Sequence, residues 1–359
     1  MPTSPITSQP LSLPVPSSLA HPVAPRALDA AQPFDSEARA AAARAAKGRL
    51  TVGIVGFGTF GQFLAARLAK AGHTVIATSR GDYTGAAASL GVRYFRDADD
   101  FCEAHPDVVV LATSILSAAT VLASLPLGRL KRSTLFVDVL SVKAFPRALL
   151  LSALPPGFDI LCTHPMFGPD SGAGAWAGLP LVYEKVRVGA GASRSARVAT
   201  FLAFFEAEGC RLEEMSCEEH DRVAAGSQFL THTVGRVLGS MGLAPTVADT
   251  AGYRSLLSLV DNTAHDSFDL YYGLFLYNPA APAELEKLGR AFEGVRAELF
   301  QRLHDRLRVA EGVAEEGGDA AGAAAAAEAA ATAGRLAGGG GGNGAVDAAA
   351  AAAGGRRGQ

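Results

Sequence analysis

The chain has 359 residues, of which 49% are hydrophobic and 19% charged, with a formal net charge of −3. Such a length holds about two domains, and the near-neutral balance excludes the basic footprint of a protein that binds nucleic acid or an anionic membrane surface. The four cysteines, Cys102, Cys162, Cys210 and Cys217, form no CxxC pair and no metal-like cluster with histidine, so no metal site and no disulfide framework are expected, and a reducing compartment fits.

Residues 1–47 are rich in Pro, Ser and Ala and lack the apolar core of a secretory signal. Their hydroxyl-rich start, with no acidic residue before Asp29, fits an organelle transit peptide as well as a merely disordered tail. Short apolar runs then follow at 50–55, 74–78, 108–111, 135–139 and 159–162, separated by helix-like segments at 60–71, 84–90, 117–125 and 144–154. Continuous apolar strands between helices signal a parallel sheet covered on both faces, and the βαβ order predicts a Rossmann-like, doubly wound α/β fold. Residues 108–128 carry no charge and reach the ~20 residues that span a bilayer. Thr113, Ser114, Ser117, Thr120 and Ser124 interrupt that run and Pro126 ends it, so a buried strand followed by a helix is expected, and no membrane partner.

A further strand at 181–188, a helix at 193–207 and a strand at 211–215 complete the α/β domain over residues 48–215. Beyond it, residues 218–241, 253–277 and 283–307 read as long helices by the spacing of Phe, Leu and Val, which predicts an all-helical C-terminal domain over 216–309. Wide apolar faces on so small a helical domain point to a homodimer. Residues 310–359 are mostly Ala and Gly, with a glycine run at 338–342, and read as a disordered low-complexity tail.

Directly after the first strand comes Gly56-Phe57-Gly58-Thr59-Phe60-Gly61, opening a helix. The first glycine of such a motif allows the tight turn, the second lets a pyrophosphate approach the backbone, and the third lets helix and strand pack closely. The phosphate sits at the helix N-terminus. Sites for NAD place a carboxylate ~20 residues on, at the ribose 2′-hydroxyl. Here the second strand ends in Thr78-Ser79-Arg80. A hydroxyl at Ser79 and a guanidinium at Arg80 suit a 2′-phosphate, so NADP is the expected cofactor. Asp82 is the carboxylate that a different loop path would bring to the ribose. Thr113 and Ser114 end the strand at 108–111 and residues Asp138 to Lys143 follow the next one, at the edge where such folds bind ligands, so both groups are placed to meet the nicotinamide half, with turn capping as the alternative for Thr113 and Ser114.

The segment Cys162-Thr163-His164-Pro165-Met166-Phe167-Gly168-Pro169-Asp170 supplies a base. A residue before proline is driven to an extended conformation, which projects His164 from a loop just past a strand end. A histidine titrating near pH 6.5 is suited to proton abstraction. Ser141, in Asp138-Val139-Leu140-Ser141-Val142-Lys143, either bonds the same substrate oxygen or caps the helix that follows.

These residues carry a resemblance. GFGTFGQFL, TSRGDY, LATSIL, LKRSTLFVDVLSVK, CTHPMFGPDSG, WAGLPLVYEKVR, EMSCEEHD, AAGSQFLTHTVGR and NTAHDSFDLYYGLFLYN resemble the plant-type arogenate dehydrogenases, a branch of the prephenate dehydrogenase family, over roughly residues 49–304. The resemblance implies oxidative decarboxylation of arogenate to tyrosine, with hydride passed to NADP, in a plastid. His164 matches the catalytic histidine that accepts the ring-hydroxyl proton, and Ser141 the serine that orients that hydroxyl. Arogenate carries a side-chain ammonium that prephenate lacks, for which Asp170 is the candidate partner, with a loop-stabilising role as its alternative. The resemblance also turns Gln228 and Thr231 towards the substrate. Bacterial prephenate enzymes carry a helix arginine for the substrate carboxylate. Ser258 stands at that place here and Arg254 one turn earlier, so the role is not assigned. The nearest rivals are a prephenate dehydrogenase, a hydroxyacid dehydrogenase of the 6-phosphogluconate type, and a non-catalytic NADP sensor.

Overall fold

The computed structural model describes Arg39, residues 48–264 and residues 266–316. The two expected tails therefore lie outside the described residues, apart from Arg39 and the stretch up to residue 316. The apolar runs form strands β1 (Thr51–Val55), β2 (Thr74–Thr78), β4 (Val108–Leu111), β5 (Leu135–Asp138) and β6 (Asp159–Pro165), while β3 (Arg93–Phe95), β7 (Pro180–Arg187) and β8 (Arg211–Glu214) complete one sheet in the order β3-β2-β1-β4-β5-β6-β7-β8. Strands β1 to β6 pair in parallel, and β7 runs antiparallel to β6. The sheet reverses its winding between β1 and β4, the switch point at which folds of this kind bind ligands.

The helices are α1 (Thr59–Lys70), α2 (Thr84–Ser89), α3 (Ala98–Glu103), α4 (Ala118–Ala123), α5 (Ala144–Ala153), α6 (Ala192–Ala207), α7 (Cys217–Ala224), α8 (Leu230–Ser240), α9 (Ala251–Ala264), α10 (Phe268–Tyr277) and α11 (Ala281–Glu316). Residues 108–128 are the strand and short helix expected of them, and all four cysteines are buried free thiols. Three sequence expectations change. The short pair β3 and α3 was not anticipated, because a three-residue edge strand has too little period to read. The helix expected over 218–241 is interrupted by a π turn at Ala225–Phe229, so residues four apart there do not share a face as on a regular helix. The helix expected over 253–277 is two helices, the second opened by Ser267, whose hydroxyl accepts the N–H of Leu270.

The chain groups into two compact units. Among the described residues, the first runs to Ala224 and regains Ala264–Asn278, and the second comprises Ala225–Thr263 and residues 279–316. Helices α7 and α10 thus belong with the sheet. Packing explains α10: Leu274 is buried, a side chain at Gly273 would press on Ile115, and the Tyr277 ring lies 4.0 Å from that of Phe145. In the second unit, α8 and α9 meet closely enough that a Cβ on Gly235 would lie 2.2 Å from the hydroxyl of Thr263.

The loop from β6 to β7 is anchored by Trp176. Its ring is buried against Phe63, Phe167, Phe204 and Phe205, and its Nε1 donates to the carbonyl of Gly172 at 3.1 Å. The segment following His164 is therefore held by an aromatic cluster that also covers α1 and α6.

Candidate active site

The glycine turn has the form its spacing predicts. Gly56 lies at φ +97°, and its N–H donates to the carbonyl of Thr78 at 2.9 Å. A Cβ on Gly56 would sit 2.5 Å from the Ala112 carbonyl, and one on Gly61 would sit 2.2 Å from the Gly56 carbonyl, so neither position accepts a side chain without moving backbone. Gly58 is different: a Cβ there meets nothing within 4 Å. It is the N-cap of α1, which has no side-chain cap and no acidic residue in its first turn. Uncapped N–H groups at the positive end of a twelve-residue helix, beside open space, fit the pyrophosphate of a dinucleotide. Thr59 and Phe60 belong to that first turn. The Phe57 ring is buried among Tyr83 and Tyr94, so only its backbone faces the turn.

At the end of β2, Ser79 is half-buried and Arg80 is exposed with no hydrogen bond or ion pair among the described residues. Asp82 is taken up elsewhere. Its carboxylate accepts from the N–H and hydroxyl of Thr84, at 3.0 and 2.6 Å, and pairs with Arg96. Beyond β4, the Ser114 hydroxyl lies 2.7 Å from that of Ser117, and the Thr113 hydroxyl donates to the Ser114 carbonyl. Both residues thus stabilise a turn at the carboxyl edge of the sheet.

Strands β1, β4, β5 and β6 all end on that edge, which brings Ser141 and His164 to the side of the sheet that carries the glycine turn. His164 is not on a loop. The sequence placed the strand end at Cys162, but β7 pairs with β6 three residues further, His164 opposite Val182 and Pro165 opposite Leu181. The extended backbone required before Pro165 is compatible with that pairing. Ser141 is not the cap of α5, which is Lys143, and its hydroxyl makes no hydrogen bond among the described residues.

A network under these residues fixes both. The Lys143 ammonium is buried, pairs with Asp138 and donates to the Thr163 carbonyl at 2.6 Å. It thereby ties the segment bearing Ser141 to the residue before His164. Burial pushes the Asp138 carboxyl up, against the pull of that ammonium. His164 Nδ1 lies 2.8 Å from His220 Nε2, and His220 Nδ1 lies 2.9 Å from Asp221 Oδ1. Asp221 in turn accepts the N–H of Lys143 at 2.7 Å and of Ala144 at 2.9 Å, supplying from α7 the cap that α5 lacks. The three side chains are 3%, 2% and 2% exposed in that order. Burial, then the neighbouring His220 and the Lys143 ammonium, hold the His164 imidazole well below the usual histidine range. Burial likewise lowers His220, against the opposing pull of Asp221. The site thus presents a neutral imidazole braced on one nitrogen, the arrangement of a general base.

Sequence reasoning placed the segment bearing Lys143 at the ligand edge of the sheet but did not single out His220 or Asp221 for a role. The available signal was a His-Asp pair in the first turns of the helix that follows the last strand. Asp170 lies exposed in the turn after β6, and its side chain makes no hydrogen bond among the described residues. Gln228 and Thr231 fall in the second compact unit, Gln228 in the π turn with its Oε1 buried and unpartnered, Thr231 exposed on α8. Arg254, also in that unit, donates to the Asp249 carbonyl at 2.9 Å.

Comparison with known proteins shows the family and the fold. Residues 51–141 match the family described as NADP oxidoreductase coenzyme F420-dependent, and residues 237–311 match the one described as TYRAAT1-like, C-terminal domain. The chain is 57% identical over 283 residues to arogenate dehydrogenase 2, chloroplastic, of Arabidopsis thaliana, covering 79% of each protein. It belongs to the arogenate/prephenate dehydrogenase family. Arogenate dehydrogenase 1, chloroplastic, of the same plant is 62% identical over 258 residues, 72% of this chain and 40% of that protein. A prephenate dehydrogenase from Aquifex aeolicus, solved with hydroxyphenyl propionate and NAD+, shares the fold at 18% identity and a TM-score of 0.54, covering 71% of this chain and 92% of its own. The chain is therefore an oxidoreductase with a dinucleotide-binding fold.

The lowered histidines set a pH dependence of stability. Unfolded, their rings titrate near 6.5; folded, His73, His164 and His220 all resist protonation. Below about pH 6.5 the unfolded chain binds protons that the folded one refuses, so stability is complete above that pH and is lost below it. The thermal midpoint should fall on acidification from about pH 7 to about pH 5.5 and stay level just above pH 7. A midpoint that rises over the acidic interval would contradict the neutral, buried assignment.

Proposed function

We propose that this chain converts arogenate to tyrosine by oxidative decarboxylation, with NADP as hydride acceptor, as a homodimer in a plastid. The observation that supports it most is the neutral, braced His164, placed with Ser141 on the sheet edge that holds the glycine turn. Bound NADP supplies the acceptor for the hydride lost by the hydroxyl-bearing ring carbon. His164 Nε2 takes the proton of that hydroxyl. As the ring carboxylate departs as carbon dioxide, its bonding electrons complete the aromatic ring, and His164 returns the proton to the phenolic oxygen. The base is thereby regenerated within one turnover. Ser141, with an unoccupied hydroxyl, orients the oxygen.

Selection of arogenate over prephenate is assigned to Asp170, an exposed carboxylate six residues beyond the base. NADP is favoured over NAD because Asp82 is engaged by Thr84 and Arg96, which leaves the unpartnered Arg80 to meet a 2′-phosphate. The Arabidopsis relatives, both chloroplastic, support the plastid assignment. Exposed Val237 on α8 and Met241 just after it, with Phe292, Val295 and Leu299 on α11, support a homodimer through the second unit.

An absorbance assay crossing arogenate and prephenate with NADP and NAD tests the activity. Arogenate with NADP should be the preferred pair. His164→Ala should lose ~10²–10⁴ in turnover, the worth of a general base, with NADP binding intact. Asp170→Asn should lose the preference for arogenate. Near-normal turnover in the first variant, or an unchanged preference in the second, would remove those roles. Arg80→Ala should impair efficiency with NADP far more than with NAD, and equal losses would refute the cofactor assignment. Light scattering at micromolar concentration should give the mass of two chains; the mass of one would eliminate the homodimer.

A further inference from the structure

We propose that His220 and Asp221 are positioning residues that hold His164 in the tautomer protonated on Nδ1, so that Nε2 is the lone pair offered to the substrate. The inference deepens the activity assigned above and rests on it.

Protons along this chain of groups are dictated from its far end. Both oxygens of Asp221 face backbone donors, Oδ1 the N–H of Lys143 and Oδ2 that of Ala144. The carboxylate is therefore the acceptor in its contact with His220, which puts a proton on His220 Nδ1. A neutral His220 then has only a lone pair at Nε2. The 2.8 Å contact with His164 is a hydrogen bond only if His164 Nδ1 carries the proton. The reverse assignment would set a nitrogen lone pair of His220 against the Asp221 carboxylate in a water-excluded site. Two backbone amides at the start of α5 thus select the reactive nitrogen of a residue on β6.

The same chain serves the charged form. When His164 takes a proton at Nε2 it becomes a buried imidazolium beside the Lys143 ammonium, and its Nδ1–H still donates to His220. The Asp221 carboxylate lies behind His220 and offsets the new charge without itself taking a proton. The scaffold suits this task. Cys217 N–H donates to Glu184 of β7 at 2.6 Å and Arg147 of α5 pairs with Glu218 at 2.9 Å, so α7 is held at both the sheet and α5. The Asn278 amide donates to the Asp221 carbonyl at 2.8 Å, fixing the backbone of the orienting residue.

The test combines a spectroscopic readout with kinetics. Nitrogen-15 NMR of histidine-labelled wild-type protein should show His164 as the Nδ1–H form, and His220→Leu should leave a mixture. In the arogenate assay, His220→Leu should lower kcat by about 10²–10⁴-fold, as when a base loses the partner that sets its tautomer, while KM and NADP affinity stay within about threefold. His220→Gln places an amide oxygen near the position of Nε2, accepts the same proton and should recover at least about tenfold of that loss. A wild-type His164 protonated on Nε2 overturns the proposal. So does a kcat of His220→Leu within about threefold of wild type, or a His220→Gln variant no better than His220→Leu. Should His220→Leu not fold, His220→Asn replaces it, since its shorter amide does not reach His164, and equal turnover of His220→Gln and His220→Asn overturns the proposal. Wild-type protein inert towards arogenate would sink the activity assignment instead, and the NMR result would still decide the tautomer.

Discussion

One carboxylate organises this site. Asp221 satisfies the first two N–H groups of α5, a service normally done by the helix's own N-cap side chain. Because those donors cannot be rotated away, the carboxylate can only accept, and the hydrogen bonds running outward from it through His220 to His164 inherit a direction. Secondary structure and active site thus share one interaction. The orientation of the base is as rigid as the start of a buried helix, which is what a residue on a strand, braced from a separate helix, requires.

The second constraint is the buried pair of Lys143 and Asp138. Buried pairs are poor sources of stability because both charges lose hydration. This one makes geometric sense, since the ammonium also takes the Thr163 carbonyl and so couples the end of β5 to the end of β6. Ser141 lies on the segment between the paired residues, and His164 directly follows Thr163. The ammonium also disfavours a proton on His164, which keeps the imidazole neutral. On the other side of the switch point the fold relies on absent side chains. Gly56 and Gly61 let backbone meet backbone, while Gly58 leaves open space at the N-terminus of α1.

Much of the fold was legible in the order of residues. Buried strands such as Val108–Leu111 are continuous apolar runs because both faces of a parallel sheet are covered, and the glycine turn declared itself by its place between a strand and a helix. Segments decided by pairing were less legible. Edge strand β3 is too short to show a period, and β6 outlasts its apolar run because β7 supplies hydrogen bonds to residues that read as a loop. The π turn at Ala225–Phe229 divides a stretch whose apolar spacing resembled one unbroken helix.

For the site, the sequence by itself determined the presence of a dinucleotide turn, a histidine held extended by the proline after it, and a serine at the end of a neighbouring strand. These follow from local rules: glycine tolerance, proline sterics, and the termination of apolar runs. Only the tertiary structure decided which nitrogen of that histidine is braced, and by what. His164 and His220 are 56 residues apart, and Lys143 and Asp221 are 78 apart. Hydrogen bonds between side chains on different elements leave no periodicity along the chain, so they become visible only when strand and helix are packed together.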